Sequence, residues 1–173
     1  MTQILPLIRR IAENVRVRTG DGRLEKFFIF NFGAKRFVVP AVDVTEVVIP
    51  GTLLSIPENS DFVAGVVNVR GTVIPVLNIR ERLGLDRNFD LTEDSRMIIF
   101  TIKSGVYAAV IADEIEYRLK EGVLTNSLPE LADSAEKSFG TALIDDLEYH
   151  VFFIDQWLEK NEIEILQKIV ESF

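Results

Sequence analysis

The stretch that decides the fold is GVVNVRGTVIPVLNIRERLG, residues 65–84. It sets the turn Asn-Val-Arg-Gly, residues 68–71, between two runs rich in β-branched residues, which is typical of two buried strands joined by a tight hairpin. Gly71 supplies the freedom to adopt a positive φ. Arg70 is the unusual residue, because a guanidinium beside such an apolar hairpin either finds an internal carboxylate or carbonyl partner or points outward to bind something. Both roles fit the sequence, and they can coexist.

The composition of the chain excludes several classes of function. With 173 residues, 47% of them hydrophobic, the chain is long enough for one sizeable domain or two small ones that share a core. The absence of cysteine removes disulfides, thiolate metal sites and cysteine nucleophiles together. A net charge of −8 argues against a nucleic-acid partner. Neither a membrane-spanning apolar run nor a signal peptide is recognisable, so we expect a cytoplasmic protein without direct membrane insertion.

Hydrophobic periodicity divides the chain into segments. From Phe27 onward the period is two, as in β-strands, whereas both termini have apolar residues at helical spacing. Asp155 is the predicted N-cap of the last helix. We predict, in order, an N-terminal amphipathic helix or extension, a first β-barrel subdomain, a polar connector, a second β-barrel subdomain and a C-terminal amphipathic helix, with the bounds 1–23, 24–85, 86–95, 96–154 and 155–173.

The second half of the chain repeats the first. With a shift of 70 residues, FFIF at 27–30 falls on MIIF at 97–100, and with a shift of 77 the hairpin 66–78 falls on 143–155. The matches keep their order along the chain. This predicts two related five-strand units, each a small antiparallel barrel or curled sheet, since closure hides strand edges that would otherwise aggregate.

Few residues in the sequence suggest catalysis. His150 is the only histidine and has no neighbouring nucleophile, so it is predicted to be an ordinary strand residue. Solvated carboxylates are the simpler interpretation of the acidic groups, although a carboxylate metal-dependent hydrolase remains an alternative. We predict no enzyme, no catalytic residues, no cofactor and no metal. Three acidic groups could in principle assemble a magnesium site: Asp43 with Glu46, Asp113 with Glu116, and Asp145 with Asp146 and Glu148.

The quoted residues resemble a known family. GVVNVRGTVIPVLNIRERLGL is similar to the signature hairpin of the CheW-like chemotaxis coupling proteins. Three further stretches agree with that family in the same order: KFFIFNFGAKRFVVPAVDVTEVV, MIIFTIKSGVYAAVIADEIEYRL and VFFIDQWLE. The resemblance covers about residues 24–160. It implies an all-β fold of two five-stranded, SH3-like β-barrel subdomains, which agrees with the repeat.

The resemblance also implies a function without catalysis. CheW-like proteins are adaptors that couple the cytoplasmic tips of chemoreceptors, the methyl-accepting chemotaxis proteins, to the regulatory domain of a histidine autokinase in membrane-associated arrays. One barrel would meet the kinase through an apolar end, and a groove between the barrels would receive the receptor tip. By motif position, Arg70, Asn68 and Gly71 are the candidate partner-binding residues, followed by Val44 and Glu46. The alternative within the family is an adaptor in a kinase pathway that controls pili or gliding.

The repeat keeps the strands but not Arg70. The 77-residue shift sets Asp145-Asp146-Leu147-Glu148 against Asn68-Val69-Arg70-Gly71, so that Leu147 lies opposite Arg70. The second half also departs from the family at Tyr117 and Arg118, which stand where apolar residues are usual. Arg70 therefore distinguishes the first unit and is the residue most worth testing for binding.

Overall fold

The structure is a computed structural model that describes residues 17–19, 22–56, 61–126 and 139–173. Most of the predicted N-terminal helix lies outside these residues. From Val17 onward the extension is strand, because Val17–Thr19 forms β1 and pairs antiparallel with the start of β2 (Gly22–Phe32). In the described part of the chain no helix is both long and apolar enough to span a membrane.

The remaining elements follow in short succession. The 3-10 turns are Ala41–Asp43, Glu81–Leu83 and Ile154–Trp157, and the α-helix α1 is Lys160–Glu171. The strands after β2 are β3 (Lys35–Pro40), β4 (Val44–Val48), β5 (Val63–Val69), β6 (Thr72–Leu77), β7 (Arg96–Thr101), β8 (Tyr107–Ala112), β9 (Glu114–Asn126), β10 (Phe139–Ile144) and β11 (Leu147–Phe152).

These strands form two sheets. Sheet one has the order β1-β2-β3-β11-β10-β9, and a further pairing of β2 with β9 closes five of its strands into a barrel with β1 at the side. Sheet two has the order β4-β7-β8-β6-β5. The predicted fold class, mostly β with two five-stranded units and a C-terminal helix, is confirmed. The pairing is not antiparallel throughout, however, since β3 with β11 and β6 with β8 are parallel.

Each sheet takes strands from both halves of the chain. In sheet one, β2 pairs with β9 and β3 with β11, and β10 lies between β9 and β11; in sheet two, β7 and β8 of the second half join β4, β5 and β6 of the first. The prediction that residues 24–85 and 96–154 each form a barrel of their own was therefore wrong. An apolar run marks a strand as buried, but it does not specify the neighbour with which that strand pairs.

The two hairpin turns correspond at a shift two residues shorter than the predicted 77. Val69 pairs with Thr72 across the β5–β6 turn, and Ile144 pairs with Leu147 across the β10–β11 turn. Strand side chains alternate between the faces with a period of two. A shift of two residues keeps every apolar residue on its face, so the apolar pattern cannot distinguish the observed correspondence from the predicted one.

Both turns hold two successive residues at positive φ. Arg70 and Gly71 have φ of 50° and 87°, and Asp145 and Asp146 have φ of 48° and 63°. This is the conformation of a type I′ hairpin turn, in which glycine, asparagine and aspartate are favoured. The positive φ predicted for Gly71 is confirmed. The counterpart of Arg70 is Asp145 and not Leu147.

The long apolar runs are explained by burial on both faces. In β2, Phe28 and Phe30 enter a large core shared by the two sheets, whereas Phe27 and Ile29 enter a smaller cluster built from sheet one alone. Sheet two has its own smaller cluster, which includes Ile99 of β7. Strands covered on both faces lose the alternation of apolar and polar residues. The shared core fixes the two sheets relative to each other.

The last helix begins later than predicted. Glu159 is the N-cap and forms a capping box with Glu162, whose carboxylate accepts a hydrogen bond from the Glu159 amide at 2.9 Å. Asp155 lies in the preceding 3-10 turn, Ile154–Trp157, and accepts a hydrogen bond from the backbone amide of Lys103 at 3.0 Å. The prediction of Asp155 as the N-cap was wrong because the chain makes this extra turn before the helix.

Candidate functional site

A groove on sheet two is lined by residues from all five of its strands, beside the gap between β4 and β5. In the barrel of sheet one the corresponding strands, β9 and β10, form a ladder that completes the closure. Among the described residues β4 and β5 share no ladder, and an isolated bridge between Leu54 and Val66 connects β5 to the segment after β4. The gap gives access to side chains of the sheet-two cluster. The lining residues are Thr45, Glu46, Val69, Arg70, Thr72, Ile74, Ile99 and Tyr107.

An ion pair crosses this gap. The Arg70 Nη2 atom donates to Glu46 Oε2 at 2.5 Å, from the β5–β6 turn to β4. The Arg70 side chain is 59% exposed and that of Glu46 only 15%, so the cation faces outward and shields the carboxylate. The hydrogen bond to Glu46 and its negative charge raise the pKa of Arg70, which therefore stays charged at any pH of interest. Arg70 is thus internally paired and at the same time largely exposed to solvent.

Asn68 and Gly71 shape the turn that carries Arg70. The Asn68 Oδ1 atom accepts a hydrogen bond from the Gly71 amide at 2.8 Å, which closes the turn. A Cβ added at Gly71 would meet no atom within 4 Å, so the requirement for glycine there comes from its φ of 87° and not from space. Of the three residues predicted together, Arg70 supplies the charged group and the other two position it.

Val44 does not reach the groove. Its side chain is 5% exposed and lies in the core shared by the two sheets, so the prediction of Val44 as a contact residue was wrong. The ladder between β4 and β7 has an irregularity after Val44, where Val44 pairs with Phe100 and Glu46 with Ile99. Such a bulge re-aims the following residues, which explains why Thr45 and Glu46 both line the groove.

Tyr107 is a groove residue that the sequence did not single out. It begins β8, pairs with Thr101 of β7 and is 42% exposed. The hydroxyls of Thr101 and Thr45 are 2.9 Å apart and connect this side of the groove to β4. An aromatic residue at the start of a strand directly after a glycine turn was the available signal. The strand pattern alone predicts it to be buried.

Three of the carboxylates considered for a metal site, Glu46, Asp113 and Glu116, are paired with arginines. Besides Glu46, Asp113 Oδ1 accepts from Arg80 Nη2 at 2.6 Å, and Glu116 accepts from Arg36. Within the described residues no three His, Cys, Asp or Glu side chains are grouped so that they could hold a metal ion. Glu46 and Glu116 occupy matching places, since they pair with Ile99 of β7 and Ile29 of β2.

The fold therefore defines a two-sheet β module in which described residues of sheet two form an accessible, partly charged groove. A family model described as the CheW-like domain matches residues 26–132. The chain belongs to the CheW-like domain family. The family predicted from the sequence is thereby confirmed.

Individual relatives agree with this assignment. The chain is 23% identical over 137 residues to "Chemotaxis protein CheW" of Helicobacter pylori, covering 79% of this chain and 82% of that protein. It is 34% identical over 92 residues to "Protein FrzA" of Myxococcus xanthus, covering 53% of this chain and 56% of that protein. Among solved structures, the scaffolding protein TtCheW from Thermoanaerobacter tengcongensis is similar, with a TM-score of 0.65, 26% identity, and coverage of 80% of this chain and 94% of that chain.

Proposed function

We propose that the protein is a non-catalytic chemotaxis coupling scaffold that links the cytoplasmic tips of chemoreceptors to the regulatory domain of a CheA-type histidine autokinase. The observation that carries the proposal is the outward-facing Arg70–Glu46 pair beside an open groove, in a chain of the CheW-like family. Relatives named as chemotaxis and scaffolding proteins support it. Arg70 and Glu46 are the proposed contact residues, and Asn68 and Gly71 hold Arg70 in place.

The mechanism would rest on affinity and geometry. The core shared by the two sheets keeps the groove in a fixed relation to the rest of the surface. A body of this kind can bind one partner in the groove and a second partner elsewhere, and two weak sites bridged in an array give avidity. A partner that binds one conformation of the complex better biases the whole assembly toward it. The protein would act in the cytoplasm and reach the membrane through its partners.

Charge reversal at the groove tests this proposal. Arg70→Glu should abolish co-sedimentation with receptor-containing membranes and kinase, because it places two carboxylates across the gap and removes the outward cation. The matched control is Arg36→Glu, which reverses the other exposed member of a corresponding arginine–glutamate pair. Circular dichroism and thermal unfolding would verify that both variants fold. An equal loss of binding in the two variants would show that net charge, and not the groove, is responsible.

A second candidate function is an adaptor in a kinase pathway that controls pili or gliding. It is supported by FrzA, a relative at 34% identity that does not bear the name CheW. The receptor and kinase genes that neighbour the gene of this protein would distinguish the two pathways. A carboxylate metal-dependent hydrolase finds less support, because Glu46, Asp113 and Glu116 are held by arginines. Calorimetric titration with magnesium, manganese and calcium would test it directly.

A further inference from the structure

We propose that the groove selects a partner segment in which an apolar side chain stands next to a carboxylate, and that Tyr107 is the residue that determines this selection. The inference rests on the proposed function of the groove as a partner site. It adds the chemistry that the partner must present and a residue that the family motif does not contain.

The apolar half of the groove has a buried floor and an exposed wall. Ile74 and Ile99 belong to the sheet-two cluster and are only 3% and 2% exposed, whereas Tyr107 is 42% exposed. An apolar side chain that enters the gap covers the tyrosine ring and gains contact with the aliphatic floor. A half-exposed tyrosine over a pocket is the kind of residue that contributes most to affinity in protein interfaces.

The charged half of the groove favours an anion. Arg70 and Glu46 are the charged residues among the described lining, and Arg70 is by far the more exposed of the two. The contact to Glu46 involves the Arg70 Nη2 atom, and a guanidinium has five N–H donors in a planar fork. The outward donors match the geometry of a partner carboxylate, while a partner cation would meet the Arg70 charge first.

The first barrel shows what Tyr107 changes. Phe30 pairs with Phe37 in sheet one, and Phe100 pairs with Ala108 in sheet two. The residues directly before Phe37 and Ala108 are Arg36 and Tyr107, so the tyrosine occupies the place of an arginine that binds Glu116 in the other barrel. With an uncharged ring there, Arg70 is the one cation among the described lining residues of the groove. The groove can then distinguish the apolar end of a partner segment from its acidic end.

The first test is a selection that makes no assumption about the natural partner. A library of randomised helical peptides is displayed against the full chain, and the enriched peptides are then measured against Tyr107→Phe and Tyr107→Arg. We expect leucine, isoleucine or phenylalanine within one helical turn of aspartate or glutamate in the enriched peptides. Tyr107→Arg should weaken them about 10- to 30-fold, as expected for a hot-spot residue, and Tyr107→Phe should retain most of the affinity because the ring is kept. Enrichment of basic or purely polar peptides, or no enrichment, overturns the inference.

The second test locates binding at Tyr107 itself. The chain has three tyrosines, so the fluorine NMR spectrum of the 3-fluorotyrosine protein contains three assignable resonances. On addition of a selected peptide, the Tyr107 resonance should shift while those of Tyr117 and Tyr149 stay in place. A static Tyr107 resonance with a bound peptide rejects the assignment.

The inference and the proposed function fail differently. If receptor co-sedimentation is lost in Arg70→Glu but unchanged in Tyr107→Arg, the coupling function stands and the role of Tyr107 is rejected. If selected peptides bind as expected but receptors and kinase do not, the groove chemistry stands and its natural partner belongs to another class of protein.

Discussion

Arg70 and Asp145 occupy the same position in two corresponding type I′ turns, with φ of 50° and 48°. Arg70 lies 2.5 Å from Glu46, whereas Asp145 is 76% exposed and 3.9 Å from Lys120. The same backbone thus carries opposite charges at the two hairpin tips. A left-handed conformation is unfavourable for arginine and tolerated by aspartate, so Arg70 is not there for the stability of the turn.

We expect that Arg70→Asn separates folding from binding. Asparagine tolerates positive φ, so the melting temperature should stay within about 2 °C of the wild type or rise, while binding of receptor and kinase is lost. Differential scanning calorimetry and co-sedimentation measure the two effects. Asp145→Arg is the control, because an arginine at the equivalent tip faces a closed β9–β10 ladder and should neither create nor remove binding. A clear fall in the melting temperature of Arg70→Asn would make Arg70 a structural residue.

A second prediction concerns Gly65 in β5, where the segment after β4 approaches most closely. A Cβ at this position would lie 2.5 Å from the backbone oxygen of Leu54, and the φ of 157° is also unfavourable for other residues. Gly65→Ala should lower the free energy of unfolding by about 2–4 kcal/mol in urea titrations, because backbone must move. Gly71→Ala has strain in φ but free space, so about 1 kcal/mol is expected. Equal losses would contradict the steric explanation.

A third prediction concerns the attachment of α1 to the body. Glu162 is buried, completes the capping box and accepts from Arg82, which also donates to the backbone oxygen of Trp157. Glu162→Ala should therefore destabilise the protein by about 2–3 kcal/mol in urea unfolding. Glu164→Ala on the exposed side of the helix is the control, with a change below about 0.5 kcal/mol expected. A similar loss in both would contradict a specific contribution of the Arg82 contact, because alanine has the highest helix propensity and does not itself weaken the helix.

A fourth prediction concerns the buried cation Arg80, which directly precedes the 3-10 turn Glu81–Leu83. Its side chain is 7% exposed, pairs with Asp113 and lies 4.5 Å from the ring centre of Phe89 in the connector. Arg80→Ala should cost about 3 kcal/mol, since it removes a buried pair and its aromatic packing. Arg36→Ala removes an exposed pair and should cost less than about 1 kcal/mol. Thermal unfolding of both variants decides whether burial controls the difference.

The sequence was informative wherever one local pattern determines one structural outcome. The apolar runs around Phe27 and Met97 identified buried strands, and the glycine of the Arg70 turn has the expected positive φ. Because Arg70 is an isolated charge on an apolar hairpin, it could also be recognised as a candidate site residue before any geometry was known.

The remaining features depend on contacts between distant parts of the chain. Val44 and Glu46 lie on different sides of β4 because the strand has a bulge between them, and no residue type in this stretch predicts a bulge. Tyr107 joins Arg70 and Glu46 only in the folded chain, because the groove lining combines residues from all five strands of sheet two. The two-residue error in the hairpin register preserved the faces of all strands, so only the hydrogen-bonded pairs could reveal it.

Each half of the chain contributes strands to both sheets. Cutting the connector between β6 and β7 would leave two pieces, and each sheet would still contain strands of both. Neither half of the chain therefore contains a complete sheet, and either half on its own would expose unpaired strand edges.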